Sequence, residues 1–249
     1  MKNFKLTFEF LIFLIIFFFG SFFRLIQLGN LPLSDSEAII TLQALNQIKG
    51  NFVYPHTDQT FLVNVQSVLF SLFGSGNFIS RFIPALFGSF LIFIPFLFRN
   101  YFNRRAMIIL AFWIAISPTM ISVSRQVDST MIFLVSILLF IYFFINKSII
   151  LSSIFLVLSI LCGKIFFMVL FPAGISILYV YLFTNKEISS HYHDFMNQLR
   201  SFEWIKFVIF SIIGYALLST FGFIFPRQLS GIGYGITNYI NSWSQIGTI

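Results

Sequence analysis

Residues 8–23 have the sequence FEFLIFLIIFFFGSFF, which is almost wholly apolar. An α-helix needs roughly 20 apolar residues to cross the ~30 Å hydrocarbon core of a bilayer, and this run approaches that length. The preceding residues, MKNFK, resemble the basic start of a signal peptide, but no small-residue cleavage site follows the run. We therefore expect residues 8–23 to form a retained membrane anchor.

The rest of the chain repeats this composition: 58% of the 249 residues are apolar, 20% are aromatic and 9% are charged. An average soluble domain carries about a quarter charged residues, so water is not the expected solvent for most of this surface. The sequence predicts an all-α polytopic membrane protein with about seven transmembrane helices in a single domain over residues 1–249. The apolar segments lie at about residues 8–28, 78–98, 106–124, 129–145, 149–162, 165–184 and 204–225.

The distribution of charge excludes several classes of function. The net charge of +7 comes from basic residues spread through connecting loops, not from a basic stripe, so no nucleic-acid partner is expected. Without a glycine-rich phosphate loop, the chain lacks a recognisable means of holding ATP or NAD. The single cysteine, Cys162, cannot build a disulfide, zinc or iron–sulfur framework within the chain.

The densest basic cluster predicts the orientation in the membrane. Arg99, Arg104 and Arg105 lie in a short loop, and short basic loops stay on the cytoplasmic side. We therefore expect a multi-pass protein of the cell membrane with a cytoplasmic N-terminus. The loop of residues 29–77 then faces outward, and two weaker helical patterns within it, about 35–49 and 60–73, predict amphipathic helices at the membrane surface.

In the first surface helix, an apolar stripe is predicted to rest on lipid or on other helices. It consists of Ala38, Leu42, Leu45 and Ile48, and the other side of the helix is polar.

The outer loop begins with the most informative motif, LPLSDSEAIITLQAL at residues 31–45. Its two carboxylates, Asp35 and Glu37, stand where a side chain near the membrane surface could take a proton from an acceptor hydroxyl. A structural interpretation competes with this one, because Ser34-x-x-Glu37 fits a helix capping box and Asp35 suits the positive end of the helix dipole. Residues two apart on a helix point about 200° away from each other, so the two acids are not expected to act on one atom together.

This motif and its surroundings resemble the lipid-linked-sugar glycosyltransferases of the GT-C class, in particular the protein mannosyltransferase, aminoarabinose transferase and RgtA/B/C/D-like group (family 39-like). In that group a first span is followed by an outward loop with an acidic Asp-Glu motif, and by surface helices leading to a second span. Further similarity lies in LFGSGNFISRFIPALFG at residues 72–88, in Ser-Pro at 117–118 and in SRQVD at 124–128. Together the matches cover about residues 24–145.

The resemblance implies a module of about seven spans whose outer-loop carboxylate is catalytic. The chain departs from the family pattern, because Ser36 separates the two acids that are usually adjacent. Either Asp35 or Glu37 therefore stands in the catalytic place. Aligning Glu37-Ala38 with the Glu-Ala that often ends the family motif leaves Ser36 at the position of the reactive Asp, which would indicate an inactive or altered enzyme.

A polyprenyl-phosphate donor also requires cations near its phosphate. Arg81, Arg125 and Lys164 are the candidates, and ordinary snorkelling of long basic side chains to the interface is the alternative for each. Lys164 follows Gly163 inside a nearly continuous apolar run, where an unpaired charge is costly. Asp128 either pairs with Arg125 three residues earlier or, as the resemblance implies, orients the sugar or the acceptor.

Metal binding has little support in the sequence. His56 and Asp58 form a His-x-Asp pair in the outer loop, but hard cations usually require six or more oxygen ligands. No cofactor is therefore predicted, and a divalent cation is the one that the sequence leaves open.

The function expected from residues and resemblance together is transfer of a sugar from a polyprenyl phosphate to a glycan, lipid or protein acceptor on the outer side of the lipid bilayer. The alternatives are a non-enzymatic transporter or flippase of lipid-linked glycans, and an inactive fragment of such a transferase. The fragment alternative, in which the chain lacks a C-terminal continuation, arises because related enzymes usually continue with further spans.

Overall fold

The computed structural model describes residues 8–50, 58–99, 101, 103–183 and 203–244. Within these ranges the chain forms helices joined by turns and contains no β-strand, which confirms the predicted all-α class. The α-helices, numbered in chain order, are α1 (Phe8–Leu25), α2 (Asp35–Ile48), α3 (Thr60–Phe73), α4 (Asn77–Phe90), α5 (Ile94–Leu97), α6 (Arg104–Ile116), α7 (Pro118–Ser124), α8 (Thr130–Ile145), α9 (Ile149–Ile160), α10 (Lys164–Phe183), α11 (Trp204–Ser219) and α12 (Gly231–Ser244). A 3₁₀ turn, Leu91–Phe93, joins α4 to α5, and a second one, Pro226–Ser230, precedes α12.

The predicted number of about seven spanning helices is not confirmed. Among the described residues one continuous helical stretch, Asn77–Leu97, is long and apolar enough to cross a membrane, and up to three spans result if each of two bent helix pairs is counted as one. These pairs are α6 with α7, bent by 58°, and α9 with the first part of α10, bent by 112°. The apolar stretches counted in α1, α3, α8 and α11 have 10–17 residues, which at about 1.5 Å per residue reach less than the ~30 Å of the hydrocarbon core.

The two bends also correct the predicted boundaries. The segment predicted as one span over residues 106–124 is interrupted at Ser117, because Pro118 cannot continue the hydrogen bonding of α6. The segments predicted at 149–162 and 165–184 meet at a sharp corner around Gly163, whose φ of 76° lies in the left-handed region that ends helices.

The surface-helix predictions for residues 35–49 and 60–73 correspond to α2 and α3, and these two helices pack against each other. Their contact belongs to a hydrophobic cluster that contains Ala44, Leu62 and Val63 and extends to Ile132 of α8 and to Cys162. The outer-loop helices are therefore part of the folded core.

The buried side of α2 differs from the predicted apolar stripe. Glu37, Thr41 and Gln47 are buried together with Ile40 and Ala44, whereas Leu42 and Ile48 of the predicted stripe are exposed. The polar side of the helix turns inward because it finds hydrogen-bond partners there, for example Asn64 of α3, which accepts from the Gln47 amide at 2.8 Å. Exposed Leu42 and Ile48 remain available for contact with lipid.

Candidate functional site

Several charged residues that are far apart in the sequence gather at one end of the helices, called here the charged end. The connection after α1, the first turn of α2, the first turns of α4 and the loop after α7 all meet there. Asp58 and the α9–α10 corner join the same region through Gln59, which donates to Asp128 at 2.7 Å. Residues far apart in sequence are thus brought into one polar region.

Glu37 lies at the centre of this region and is only 5% exposed. Its carboxylate accepts from Nε and Nη2 of Arg81 at 3.0 and 2.7 Å, and from the backbone N–H of Val127 at 2.9 Å. It also accepts from the backbone N–H and the hydroxyl of Ser34, at 2.9 and 3.1 Å, so the capping interaction predicted for Ser34 and Glu37 is confirmed. With five donors around two oxygens, the carboxylate has little capacity for a further proton or ligand.

Arg81 is equally saturated. Besides the two bonds to Glu37, its Nη1 donates to the carbonyls of Leu28 and Leu31 at 3.3 and 2.9 Å, and its Nη2 donates to Pro32 at 3.0 Å. These contacts use all five N–H groups of the guanidinium. In this arrangement no donor of Arg81 is left for a phosphate, and the side chain instead fixes the connection between α1 and α2.

The protonation of Glu37 reflects these contacts. Burial raises the pKa of its carboxyl, whereas the hydrogen bonds from Arg81, Ser34 and Val127 and the charge of Arg81 lower it, and the pKa falls from 4.5 to about 2. A general base requires a pKa close to the working pH. Glu37 is therefore an ionised structural anion at neutral pH.

Asp35 has the opposite environment. It is exposed in the first turn of α2, and within the described part of the chain no ion pair involves it. The two acids point in different directions, as the helical spacing predicts, and only Asp35 presents a carboxylate to solvent. The prediction that one of these two acids is catalytic stays a prediction, and the geometry favours Asp35 for that role.

A pocket with a volume of about 400 Å³ opens beside the first turn of α2 and is called here the site pocket. Its walls come from the connection after α1, from α2 and α4, and from the end of α7. The lining residues are Leu28, Leu31, Pro32, Leu33, Ser34, Glu37, Arg81, Ser122, Arg125 and Gln126.

Arg125 supplies the cation of the site pocket that no carboxylate neutralises among the described residues. It is partly exposed, and its Nη1 and Nη2 atoms donate to the carbonyls of Phe23 and Gln27, each at 3.2 Å. A guanidinium held by two carbonyls keeps its full positive charge, so this wall of the pocket favours an anion.

A second cluster lies around Asp128, which does not line the site pocket. Besides the bond from Gln59, its carboxylate accepts from the backbone N–H of Thr130 at 3.0 Å and from the Thr130 hydroxyl. The side-chain oxygen of Gln59 in turn accepts a hydrogen bond from the backbone N–H of Ser129 at 3.0 Å. Asp128 follows Val127, whose N–H binds Glu37, so one short loop carries residues of both clusters.

Asp58 and Lys164 meet at the α9–α10 corner, but through the backbone of Lys164. The buried Asp58 carboxylate accepts from the Lys164 N–H at 2.5 Å and thereby caps the start of α10, while the Lys164 side chain is exposed. A Cβ at position 163 would approach Asp58 Oδ2 to 2.5 Å, so only glycine allows this contact. Neither Asp58 nor Lys164 lines the site pocket.

One important residue, Arg24, had no role in the sequence analysis. It is fully buried at the end of α1, and its Nη2 donates to the carbonyl of Ile114 at 2.8 Å. In a continuous helix that carbonyl would accept from residue 118, but Pro118 has no N–H. Arg24 supplies the missing donor, and its charge suits the negative end of α6.

Further contacts around Arg24 stabilise the bend between α6 and α7. Its Nη1 donates to Gly20 at 2.9 Å and to Ala115 at 3.4 Å. Gly88 of α4 permits the close approach of α7, since a Cβ there would lie 2.5 Å from that of Ser124. The sequence shows Arg24 in one apolar segment and Pro118 in another. Their distance in the sequence does not indicate that they pair.

Metal ligation gains no support from this region. Among the described residues no group of three or more His, Cys, Asp or Glu side chains is close enough to hold an ion. Asp58 is engaged by the start of α10, and His56, the other weak metal candidate, lies outside the described residues.

No protein-family model, curated protein or solved structure matches this chain. The resemblance to the GT-C transferases therefore rests on the sequence pattern alone.

Proposed function

We propose that the protein is a membrane glycosyltransferase that moves a sugar from a polyprenyl phosphate to an acceptor hydroxyl at the charged end. The observation that carries this proposal is the site pocket, which has the unneutralised Arg125 in its wall and adjoins the first turn of α2, where Asp35 is exposed. Asp35 directly follows Ser34, which lines the pocket. A cation in the wall of a pocket and a solvent-accessible carboxylate on the adjoining helical turn suit a reaction that releases a phosphate and a proton.

In the proposed reaction Asp35 acts as general base. It accepts the proton of the acceptor hydroxyl while the hydroxyl oxygen attacks the anomeric carbon of the sugar. The bond from that carbon to the phosphate oxygen breaks, and the polyprenyl phosphate leaves with the electron pair. Attack from the side opposite to the leaving group inverts the anomeric configuration.

Arg125 is the proposed partner of the leaving phosphate. Charge-assisted hydrogen bonds from a guanidinium stabilise an anionic leaving group best in a pocket that excludes most water. Glu37 and Arg81 hold the connection after α1 in place, so in this proposal they shape the pocket and do not touch the reacting atoms.

The second cluster, around Asp128, lies in the loop that directly follows the pocket residues Arg125 and Gln126. In the proposal its residues assist binding. Asp128 orients the sugar or the acceptor from the loop that also carries Arg125, and Lys164 offers an exposed cation at the α9–α10 corner. The role of Asp128 rests on the sequence resemblance, and that of Lys164 rests on its position after Gly163 in a nearly continuous apolar run.

The proposed setting is the cell membrane, with several passes, a cytoplasmic N-terminus and the charged end on the outer side. The stretch Asn77–Leu97 and the two bent pairs are the candidate spans in the described residues. Arg99 and Arg105 lie at the opposite end of this stretch from Arg81, as the positive-inside rule requires for this orientation.

The decisive experiment measures transfer from a radiolabelled polyprenyl-phosphate sugar, offered as a panel of hexoses and pentoses, by the protein in membrane vesicles. Asp35→Asn should reduce turnover at least 100-fold, because general-base catalysis contributes roughly 10²- to 10⁴-fold. Ser36→Ala is the matched control, since it changes an exposed neighbour on the same turn and should retain activity. Full activity of Asp35→Asn would overturn the assignment.

Arg125→Gln tests the phosphate role in the same assay. It should lower the rate of transfer. The KM for a soluble sugar acceptor, measured at saturating donor, should not change. An unchanged rate would remove Arg125 from the mechanism.

A transporter of lipid-linked glycans is the second candidate, and the bent helix pairs favour it. Discontinuous helices whose ends point into the protein are typical of secondary transporters, and α9–α10 bends by 112°. Sealed liposomes containing the protein and a labelled lipid-linked sugar separate the two functions. Translocation of the labelled lipid without an added acceptor supports the transporter, whereas label that leaves the lipid only when an acceptor is present supports the transferase.

A further inference from the structure

A second large groove lies at the end of the helices opposite to the site pocket. It has a volume of about 500 Å³, and all ten residues that line it are apolar. One wall comes from Leu91, Ile94 and Phe98 and another from α6, including Ala106. Ile141 of α8 contributes to the third wall.

The direction of two helices places the groove at that end. The stretch that begins with α4 carries Arg81 of the charged end near its start and borders the groove in its second half, from Leu91 to Phe98. In the other direction, α6 begins beside the groove at Ala106 and ends next to Arg24. Because Ile114 also lines the groove, a ligand in it extends along most of α6, with the start of α6 at the end away from Arg81.

Two exposed arginines flank the groove. Arg99 is exposed and follows the lining residue Phe98, and its guanidinium lies 5.2 Å from the centre of the ring of Phe96, which does not line the groove. Arg105 precedes the lining residue Ala106 and is exposed at the start of α6. An apolar groove with cations at its end matches the chemistry of a lipid that has a hydrocarbon tail and an anionic head group.

We propose that the groove binds one acyl chain of an anionic phospholipid and that Arg99 and Arg105 hold its phosphate. A groove without a polar lining residue offers nothing to orient a polar ligand, so the specificity must come from the two arginines at its end. A phospholipid supplies both parts at a spacing of a few ångströms. The proposal depends on membrane insertion and is independent of the transferase activity.

The test uses the full-length protein in detergent and native mass spectrometry with phosphatidylglycerol or phosphatidylcholine of the same chain length. Wild-type protein should retain phosphatidylglycerol more tightly. Arg99→Gln combined with Arg105→Gln should weaken phosphatidylglycerol binding roughly 30-fold, since each basic residue near an anionic lipid contributes about fivefold. Phosphatidylcholine binding should weaken much less, because the choline of that lipid offsets the charge of its phosphate. Lys49→Gln, which changes an exposed cation at the end of α2, is the matched control.

Filling the groove tests the acyl-chain part. Ala106 is exposed, so Ala106→Phe should fold normally and reduce the binding of both lipids at least tenfold. Ile141→Asn makes the opposite wall polar and should also reduce the binding of both lipids. With two variants on different walls, the test does not depend on the folding of one of them.

The outcomes separate the sources of binding. Failure of glycerol phosphate at millimolar concentration to displace the lipid supports the proposal, and displacement by it overturns the acyl-chain part. Retained preference for phosphatidylglycerol in the double arginine variant, an equal loss in Lys49→Gln, or undiminished lipid binding in both groove variants would each overturn it.

Discussion

The buried pair of Glu37 and Arg81 provides the most direct test of the charged end. Glu37→Gln keeps the shape of the side chain but removes its charge and replaces one acceptor oxygen by an amide that donates. Four of the five donors that surround the carboxylate come from Arg81 and Ser34, and the fifth is the N–H of Val127. The new amide must therefore face N–H groups, and Arg81 is left buried without a counter-ion.

The size of the effect follows from this burial. Removing one partner of a buried ion pair costs about 3–5 kcal/mol, because the remaining charge stays out of water. In a chain of about 250 residues each kcal/mol lowers the unfolding temperature by about 2–4 °C, so Glu37→Gln should lower it by on the order of 10 °C. Arg81→Met should act similarly, and the double variant should lose much less than the sum of the two.

The assay is thermal unfolding of the purified protein in detergent, followed by intrinsic fluorescence at a fixed heating rate. Asp35→Asn is the matched control, because it removes a carboxylate of the same turn that is exposed. It loses only a helix-dipole interaction of about 0.3–1 kcal/mol. Equal unfolding temperatures for Glu37→Gln and Asp35→Asn would refute the structural role assigned to Glu37, and additive losses in the double variant would refute its coupling to Arg81.

Three further predictions concern stability and use the same measurement. Because the pKa of Glu37 is lowered from 4.5 to about 2, its contribution is complete above about pH 4.5 and is lost as pH falls toward 2; wild-type protein should therefore lose more stability than Glu37→Gln between pH 5 and 3, and parallel losses would contradict the prediction. Arg24→Leu should lower the free energy of unfolding by at least about 1–3 kcal/mol, because it leaves the carbonyl of Ile114 unsatisfied. In a Pro118→Ala protein, which has an N–H at position 118, the same Arg24→Leu change should cost less, and an equal loss with and without Pro118→Ala would argue against the pairing of Arg24 with Pro118. Gly163→Ala should destabilise by more than 1 kcal/mol because of its positive φ and the contact with Asp58, whereas Gly174→Ala, which meets no atom within 4 Å, should be neutral or stabilising, and equal effects would contradict the corner geometry.

The features that sequence could predict are those set by local chemistry. The all-helical class follows from the apolar runs, and the start of α2 follows from Ser34 and Glu37, which contact each other across three residues. The opposite directions of Asp35 and Glu37 follow from helical spacing alone. None of these features depends on a residue far away in the chain.

The features that could not be predicted depend on distant partners. Glu37 is joined to Arg81 across 44 residues and to Val127 across 90, and Asp58 caps α10 across 106. Similarly, the bend at Pro118 is visible in the sequence only as a proline, whereas its stabilisation by Arg24 requires the packing of α1 against α6. The predicted number of spans was not confirmed for the same reason, because apolar composition does not indicate where a helix bends.

The choice between Asp35 and Glu37 shows how a distant contact decides a chemical role. From sequence both acids are first-turn carboxylates, and Arg81 is a candidate ligand for phosphate. In the folded chain the ion pair between Glu37 and Arg81 opposes both roles. To bind phosphate, Arg81 would have to release Glu37. If Glu37 accepted a proton, Arg81 would lose its counter-ion. Because either change would leave a buried charge without its partner, the pair is most stable as it stands. The proposed chemistry therefore falls to Asp35 and Arg125, whose charges no ion pair neutralises among the described residues.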